Sequence, residues 1–202
     1  HERKLQLVDG AGFDTLARDL QKFSPGSDER WASMERLSAL FDIDPEALAE
    51  ARRLLGGGLV PDEARGILGA LAGASAPQAQ GVLTDVAKNT ALEATTRHTA
   101  LIHLAVATAP TEATLLELSS LAQHAEDREL QARALLALGG ATGKALREPG
   151  TQDAAAAAVE ALKRGVEHAP DDPSRQVYVT ALGNTGAASA LGLLERQLHD
   201  AN

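Results

Sequence analysis

The sequence contains no cysteine and very few aromatic residues. Among its 202 residues are three Phe, one Trp and one Tyr. The lack of cysteine excludes disulfides and thiolate chemistry and leaves the redox compartment open. No run of about 18 apolar residues occurs, so no membrane-spanning helix is predicted. Because aromatic and β-branched residues favour strands, their scarcity beside abundant Leu and Ala predicts an all-α protein.

Basic residues are also few. The chain has 19 Lys and Arg against 28 Asp and Glu, a net charge of −9. Because proteins bind nucleic acid by neutralising phosphates with Lys and Arg, this balance argues against a nucleic-acid partner and is compatible with a basic protein. The chain begins at His1. We therefore expect a fragment whose native start is missing, and secretion or a periplasmic location stays open, since a signal peptide could precede it.

Helical hairpins recur along the chain. A helix beginning at Pro61 carries apolar residues at i, i+3, i+4 and i+7, and the same pattern follows after Pro77. The last leucine before each hinge recurs after 33, 34 and 44 residues, at Leu71, Leu104, Leu138 and Leu182. This period predicts a solenoid, an α-α superhelix of stacked antiparallel hairpins of HEAT-like type. The longest interval is assigned to an extra loop, "GKALREPGTQ".

The hinges are predicted at glycine-rich stretches. We expect helices to stop at Gly139-Gly140 and at Leu182, with Gly183–Gly186 forming the corner of the last hairpin. Helix caps are assigned to residues that accept backbone N–H bonds or precede proline. These are Ser27, Asp44, Thr111, Asp127, Thr151 and Asp172.

The N-terminal third is less regular. After a helix with Phe13, Leu16, Leu20 and Phe23 and the turn "SPGSDER", a further helix is predicted to place Trp31, Met34, Leu37 and Leu40 on one apolar face. We divide the chain into residues 1–57, further hairpins or a capping segment, and residues 58–202, the HEAT-like repeats. The two parts could also form one continuous domain.

Several phrases of the sequence resemble a known family. "LGALAGASAPQAQGVLTDVAKN", "APTEATLLELSSLAQ", "ARALLALGGATGKAL" and "VTALGNTGAASALGLLERQL" follow one another in the order seen in the helical domain of large lipid-transfer proteins: vitellogenin, apolipoprotein B and the microsomal triglyceride transfer protein. The Pro-Thr at 110–111 and the Ala-Leu-Gly-Asn at 181–184 match recurrent phrases of that domain. The resemblance covers about residues 60–198, and the final unit is equally similar to HEAT-like repeats in general, including those of bilin lyases.

The resemblance implies a role in a larger assembly. In the lipid-transfer family this domain is a two-layer superhelix that braces lipid-enclosing β-sheets. Because no strand-rich region occurs in this chain, the resemblance implies a scaffold and not a lipid carrier.

Three patterns that could carry chemistry have simpler interpretations. "GGATGKAL" has too few residues before Gly143-Lys144 for a phosphate loop and lacks its Ser or Thr, so it is interpreted as a hairpin corner. His98 and His103 are five residues apart, which does not match two ligands on one helix face. No titratable pair is marked out by spacing. We predict no enzyme activity, no metal site and no cofactor.

The second helix of each hairpin is predicted to expose a polar side for a partner. The candidate partner-binding residues are Asp85, Lys88, Glu117, Ser120, Glu160, Lys163, Glu195 and His199, with Thr84 beside them. The first hypothesis is a non-catalytic scaffold that binds a protein partner or braces a larger assembly. The second is a lipid-transfer-related, vitellogenin-like module that contributes to lipid binding or transport. The third is an enzyme of the HEAT-like lyase kind.

Overall fold

The computed structural model describes residues 2–125 and 127–200. Within these ranges the regular structure is helical. Twelve α-helices follow one another: α1 Glu2–Val8, α2 Phe13–Lys22, α3 Asp28–Ile43, α4 Pro45–Gly56, α5 Pro61–Gly73, α6 Pro77–Lys88, α7 Ala94–Val106, α8 Glu112–His124, α9 Arg128–Ala145, α10 Gln152–His168, α11 Asp172–Asn184 and α12 Leu191–Asp200. A 3₁₀ turn, Ala188–Ala190, precedes α12. The prediction of an all-α fold of packed helices is confirmed.

The chain divides into two compact units, residues 1–103 and 104–202. In the first unit, α3 contacts α5 and α4 contacts α6. Within each hairpin, α3 also contacts α4, and α5 contacts α6. The residue numbers of α3 and α5 rise together along their contact, since Gly69 faces Met34 and Gly73 faces Ser38. First helices therefore lie parallel beside each other. This is the arrangement of stacked hairpins, and it extends to α3–α4 in the N-terminal third.

The second unit has the same two layers. Helix α9 contacts α11 among the first helices, α8 contacts α10 among the second helices, and α10 contacts both α9 and α11. Gly139 faces Ala181 and Gly143 faces Thr185, so α9 and α11 also run parallel. The first helices α5, α7, α9 and α11 begin 33, 34 and 44 residues apart, the predicted recurrence.

Leu, Ala and Val fill the core, as the composition predicts. Leu104 is fully buried and Leu138 is 2% exposed. The one described ring pair is Phe13–Phe41, with centroids 6.2 Å apart. Leu191, Leu194 and Leu198 recur in the sequence at helical spacing, but the side chain of Leu198 lies outside the described part of the chain. No described helix has the length and hydropathy that crossing a bilayer requires.

Most predicted caps are confirmed. The side chains of Ser27, Asp44, Thr111 and Asp127 each accept a backbone N–H in the first turn of the helix that follows. One assignment is wrong: Asp171, and not Asp172, caps α11 by accepting from the Ser174 N–H. Thr151 occupies the N-cap position of α10 as predicted, but its side chain accepts no backbone N–H. Its hydroxyl instead donates to the carbonyls of Ala145 and Glu148 at 2.8 and 3.2 Å.

The predicted helix ends at glycines are also wrong in part. Helix α9 continues through Gly139, Gly140 and Gly143 to Ala145, and α11 continues through Gly183 to Asn184. The corner of the last hairpin is the turn after Asn184, where Gly186 has a φ of +61°. Of the residues assigned to an extra loop, 146–151 form a turn, whereas Gly143, Lys144 and Ala145 belong to α9 and Gln152 belongs to α10. Most of the longer interval comes from the helices, since α9 and α10 have 18 and 17 residues against 13 each in α7 and α8.

Candidate functional site

The predicted partner-binding residues of the first unit lie on α6. Asp85 and Lys88 are both exposed there. Asp85 forms an ion pair with Arg52 of α4 at 3.0 Å. Thr84 was expected beside them on the exposed side, but it is 7% exposed and its hydroxyl donates to the Gln80 carbonyl at 3.0 Å. Thr84 therefore belongs to the buried side of α6 with Leu83, and the exposed side begins at Asp85.

The other six predicted residues lie on second helices of the second unit. Ser120, Glu160, Glu195 and His199 are exposed, and Glu117 and Lys163 are half-buried. The structure joins two of them: Lys163 Nζ lies 2.8 Å from a carboxylate oxygen of Glu160, one turn away on α10. Their role in binding a partner stays a prediction.

The segment from Gly139 to Lys144 is helix and not a hairpin corner. A Cβ atom at Gly139 would overlap the Ala181 carbonyl, and one at Gly143 would lie 2.8 Å from the Thr185 carbonyl oxygen. These glycines therefore allow α9 and α11 to approach closely. Lys144 Nζ donates to the carbonyls of Val106 and Ala107, the latter at 3.0 Å, where α7 ends. Burial, with a smaller contribution from Arg147, lowers the pKa of Lys144.

The histidines lie in three kinds of environment. Nδ1 of His124 and of His168 lies 3.1 and 2.9 Å from the carbonyl oxygen four residues earlier, in the last turns of α8 and α10. That position suits a partial positive charge at a helix C-terminus. His98 is buried on α7. His103 is half-buried, and burial, followed by the neighbouring Arg65, lowers its pKa. Among the described residues, no three metal-ligating side chains come together.

The second unit contains a recess of about 500 Å³ where α8 ends and α9 and α11 begin. Its apolar wall includes Leu135, Pro173, Val177 and Tyr178. The volume lies within the range of about 300–1,000 Å³ typical of ligand pockets. Sequence reasoning missed this recess because its residues come from three helices, and the one tyrosine of the chain was its only distinctive signal.

Charged residues stand at the edge of this recess. Arg128 pairs with Asp171, the N-cap of α11, and Ser174 donates its backbone N–H to the same carboxylate at 2.8 Å. The hydrogen bonds from Ser174 and then Arg128 lower the pKa of Asp171 to about 2. The carboxylate of Asp171 thus joins Arg128 of α9 to the first turn of α11 beside the recess.

The first unit carries a second surface, and it contains Trp31, whose position was predicted incorrectly. Trp31, expected on the apolar face of α3, is 62% exposed, while Leu37 and Leu40 of the same helix are buried. Met34 and Ser38 face Gly69 and Gly73 of α5, and Trp31 lies nearer the N-terminal end of α3. We call this surface the Trp31 groove: the hollows beside Trp31 and Met34, between α3 and α5.

Taken together, the fold and these surfaces define an all-α helical-repeat module with recesses on its helices. The family model of the vitellogenin TPR domain matches residues 43–202. The chain belongs to this family. The expected resemblance to the helical domain of large lipid-transfer proteins is thereby confirmed, and the match begins earlier than residue 60. Comparisons with curated proteins and with solved structures gave no match.

Proposed function

We propose that the chain is a non-catalytic helical scaffold that binds a protein partner or braces a neighbouring domain through its second helices. The two-sided character of α10 carries this proposal. Its residues Ala155, Val159 and Leu162 are at most 2% exposed, whereas Glu160 and Glu167 are exposed. The helix therefore uses one side to hold the stack together and leaves a charged side in solvent.

The charges on that side favour a basic partner. The chain carries nine more acidic than basic residues, and four of the eight candidate residues are Asp or Glu. Complementary charge speeds encounter and selects the partner more than it adds raw affinity. Binding through this side should therefore weaken as salt is raised.

The test reverses the charges of Asp85, Glu117, Glu160 and Glu195 to Lys. A tagged wild-type chain is used to capture its partner from the source extract, and the captured protein is then quantified with the variant. We expect loss of capture with little change in melting temperature, because surface changes usually cost within about 0.5 kcal/mol.

The matched control reverses four exposed acids outside the candidate set and outside the helices that carry it: Asp14, Glu29, Glu93 and Asp172. It makes the same change in net charge and should keep its partner. Equal capture by both variants would contradict the proposal.

A second candidate function is a lipid-transfer-related module. It is supported by the family and by the apolar wall of the 500 Å³ recess. Substituting Val177 with Arg would fill that wall with a charged side chain. If lipid is bound there, organic extraction of the purified wild-type chain should yield lipid by mass spectrometry and the variant should yield much less. Extracts free of lipid from both proteins would count against this candidate.

A further inference from the structure

The exposed indole of Trp31 is a candidate contact for a binding partner. Trp31 is the one tryptophan of the chain and is 62% exposed, whereas Met34, one turn further along α3, is only half-exposed and lies against Gly69 of α5. Tryptophan is among the residues that contribute most to protein interfaces, because a large apolar ring is removed from water when it is covered.

Two hollows lie on either side of Trp31 and Met34. One has a volume of about 190 Å³ and includes Pro25, Gly66 and His103, and the other has a volume of about 480 Å³ and includes Ala32 and Gly69. Glycines of α5 form the floor. The Trp31 groove is therefore shallow. Small residues form its base, and Trp31 is its one aromatic side chain.

The two ends of the Trp31 groove differ in charge. Arg30 and Arg65 line the smaller hollow, and Asp28 and Glu35 line the larger one. Arg30 is held in place, since its Nη1 donates to the carbonyls of Leu20 and Phe23 at 2.7 and 3.1 Å. Arg65 is more than half exposed and pairs with Asp62 at 3.3 Å across one turn. Arg30 is therefore fixed at the basic end, and Arg65 is exposed to a partner there.

We infer that the Trp31 groove binds a helical segment of a partner protein that has an apolar side chain covering Trp31 and acidic residues facing Arg65. Charge complementarity selects this occupant. The two arginines lie on one side of the aromatic ring, so a segment with an acidic residue next to an apolar side chain pairs with the basic end while it covers Trp31. This inference rests on the proposed role in binding proteins, but it uses none of the eight candidate residues of the second helices.

The probe is a displayed library of alanine-based helical peptides of about three to four turns. Each has Leu, Phe or Trp at its centre and Glu, Lys or Ala at the flanking positions. Selection on the wild-type chain should enrich glutamate flanks. Binding of enriched peptides that themselves lack Trp should shift the Trp31 emission to shorter wavelength, a readout that belongs to this site because the chain has no other tryptophan.

The decisive variant is Arg65→Glu. It should weaken the glutamate-flanked peptides by roughly tenfold, and selection on it should enrich lysine flanks instead. Arg52→Glu is the matched control, because Arg52 is 57% exposed against 56% for Arg65 and also pairs with an aspartate. It should bind the original peptides unchanged. Trp31→Ala should remove binding measured by anisotropy of a labelled peptide.

Four results would overturn the inference: flanking preference that Arg65→Glu does not alter, peptide binding that survives Trp31→Ala, an emission shift produced by phosphatidylcholine vesicles in place of peptides, or concentration-dependent self-association that buries Trp31. If the second-helix charge reversal abolishes capture while this test fails, only the assignment of the Trp31 groove is wrong.

Discussion

At the residue scale, glycines of similar sequence context have opposite effects on packing. Gly139 of α9 lies against the Ala181 carbonyl, so its missing side chain lets α11 approach. A Cβ atom added at Gly183 of α11 would meet no other atom within 4 Å. Both glycines follow the last buried leucine of a first helix, and only the neighbouring helix distinguishes them.

This contrast predicts opposite effects of alanine. Gly139→Ala should destabilise the chain by about 1–3 kcal/mol, because the added methyl group overpacks a helix contact. Gly183→Ala should stabilise it by up to about 1 kcal/mol, because glycine in a helix costs backbone entropy. Urea denaturation followed by circular dichroism at matched protein concentration measures both. Equal shifts of the two midpoints would show that the close approach of α9 and α11 is not formed in solution.

His103 gives the chain a pH dependence whose sign follows from its environment. Burial, and then the charge of Arg65, holds its pKa below the usual value of about 6.5. The unfolded chain therefore binds more protons at this site than the folded chain as pH falls below about 6.5, and folding stability decreases. His103→Gln removes this contribution.

Relative to His103→Gln, the wild type should thus have a lower urea midpoint at pH 5.5 than at pH 7.5. A difference that is independent of pH would contradict the assigned environment. Comparing the two proteins cancels the titration of the other groups.

At the element scale, the sequence predicted whatever is decided within one helix or its first turn. The recurrence of Leu71, Leu104, Leu138 and Leu182 located the first helices, because a buried face depends on local periodicity. The polar residues of the second helices could be chosen in the same way. Whether a partner binds them is not a local property, so the pattern alone could not decide it.

What the sequence could not predict depends on neighbours from other parts of the chain. Gly139 and Gly143 pack inside α9 without side chains because α11 occupies the space that a side chain would need. Trp31 is 62% exposed, whereas Met34 and Ser38 of the same helix face Gly69 and Gly73 of α5. The recess near Tyr178 needs three helices. In each case the deciding atoms belong to an element distant in sequence.

The packed face of the first helices yields a prediction for α7 and α9. Leu104→Ala and Leu138→Ala should each destabilise the chain by about 2–5 kcal/mol, because both remove a buried leucine and leave a cavity. Denaturant melts give the free energy of unfolding. Exposed Leu116, at 62%, provides the control, and Leu116→Ala should cost far less. A small effect at both buried positions would mean that the helices use another face.

At the scale of the whole molecule, the family match and the packed structure do not have the same extent. The match covers residues 43–202, yet α1, α2 and α3 precede it and pack within the first unit. Lys4 pairs with Asp42 at 2.5 Å, and Arg36 donates to the carbonyl of Val8 at 3.1 Å, so α1 is tied to α3. Helix α2 contacts α3, and both α2 and α3 contact α5.

This arrangement predicts that residues 43–202 are not self-sufficient. Without α3, the fragment would expose Gly66 and Gly69 of α5 and the apolar residues around them, all of which are buried in the full chain. The fragment should therefore melt at a lower temperature and bind a hydrophobic dye, because apolar surface previously covered becomes accessible to water. Circular dichroism and dye fluorescence, measured side by side on the full chain and the fragment, test this.

A truncation at the other end serves as the comparison. Helix α12 contacts α11 and the short turn before it, and its described side chains bury Leu193 alone below 9% exposure. Removing residues 191–202 should therefore lower the melting temperature less and add less dye fluorescence than removing residues 1–42. If the fragment of residues 43–202 instead melts like the full chain and binds no dye, α1–α3 contribute a surface and not stability, and the groove beside Trp31 would then be formed by an appendage of the repeat module.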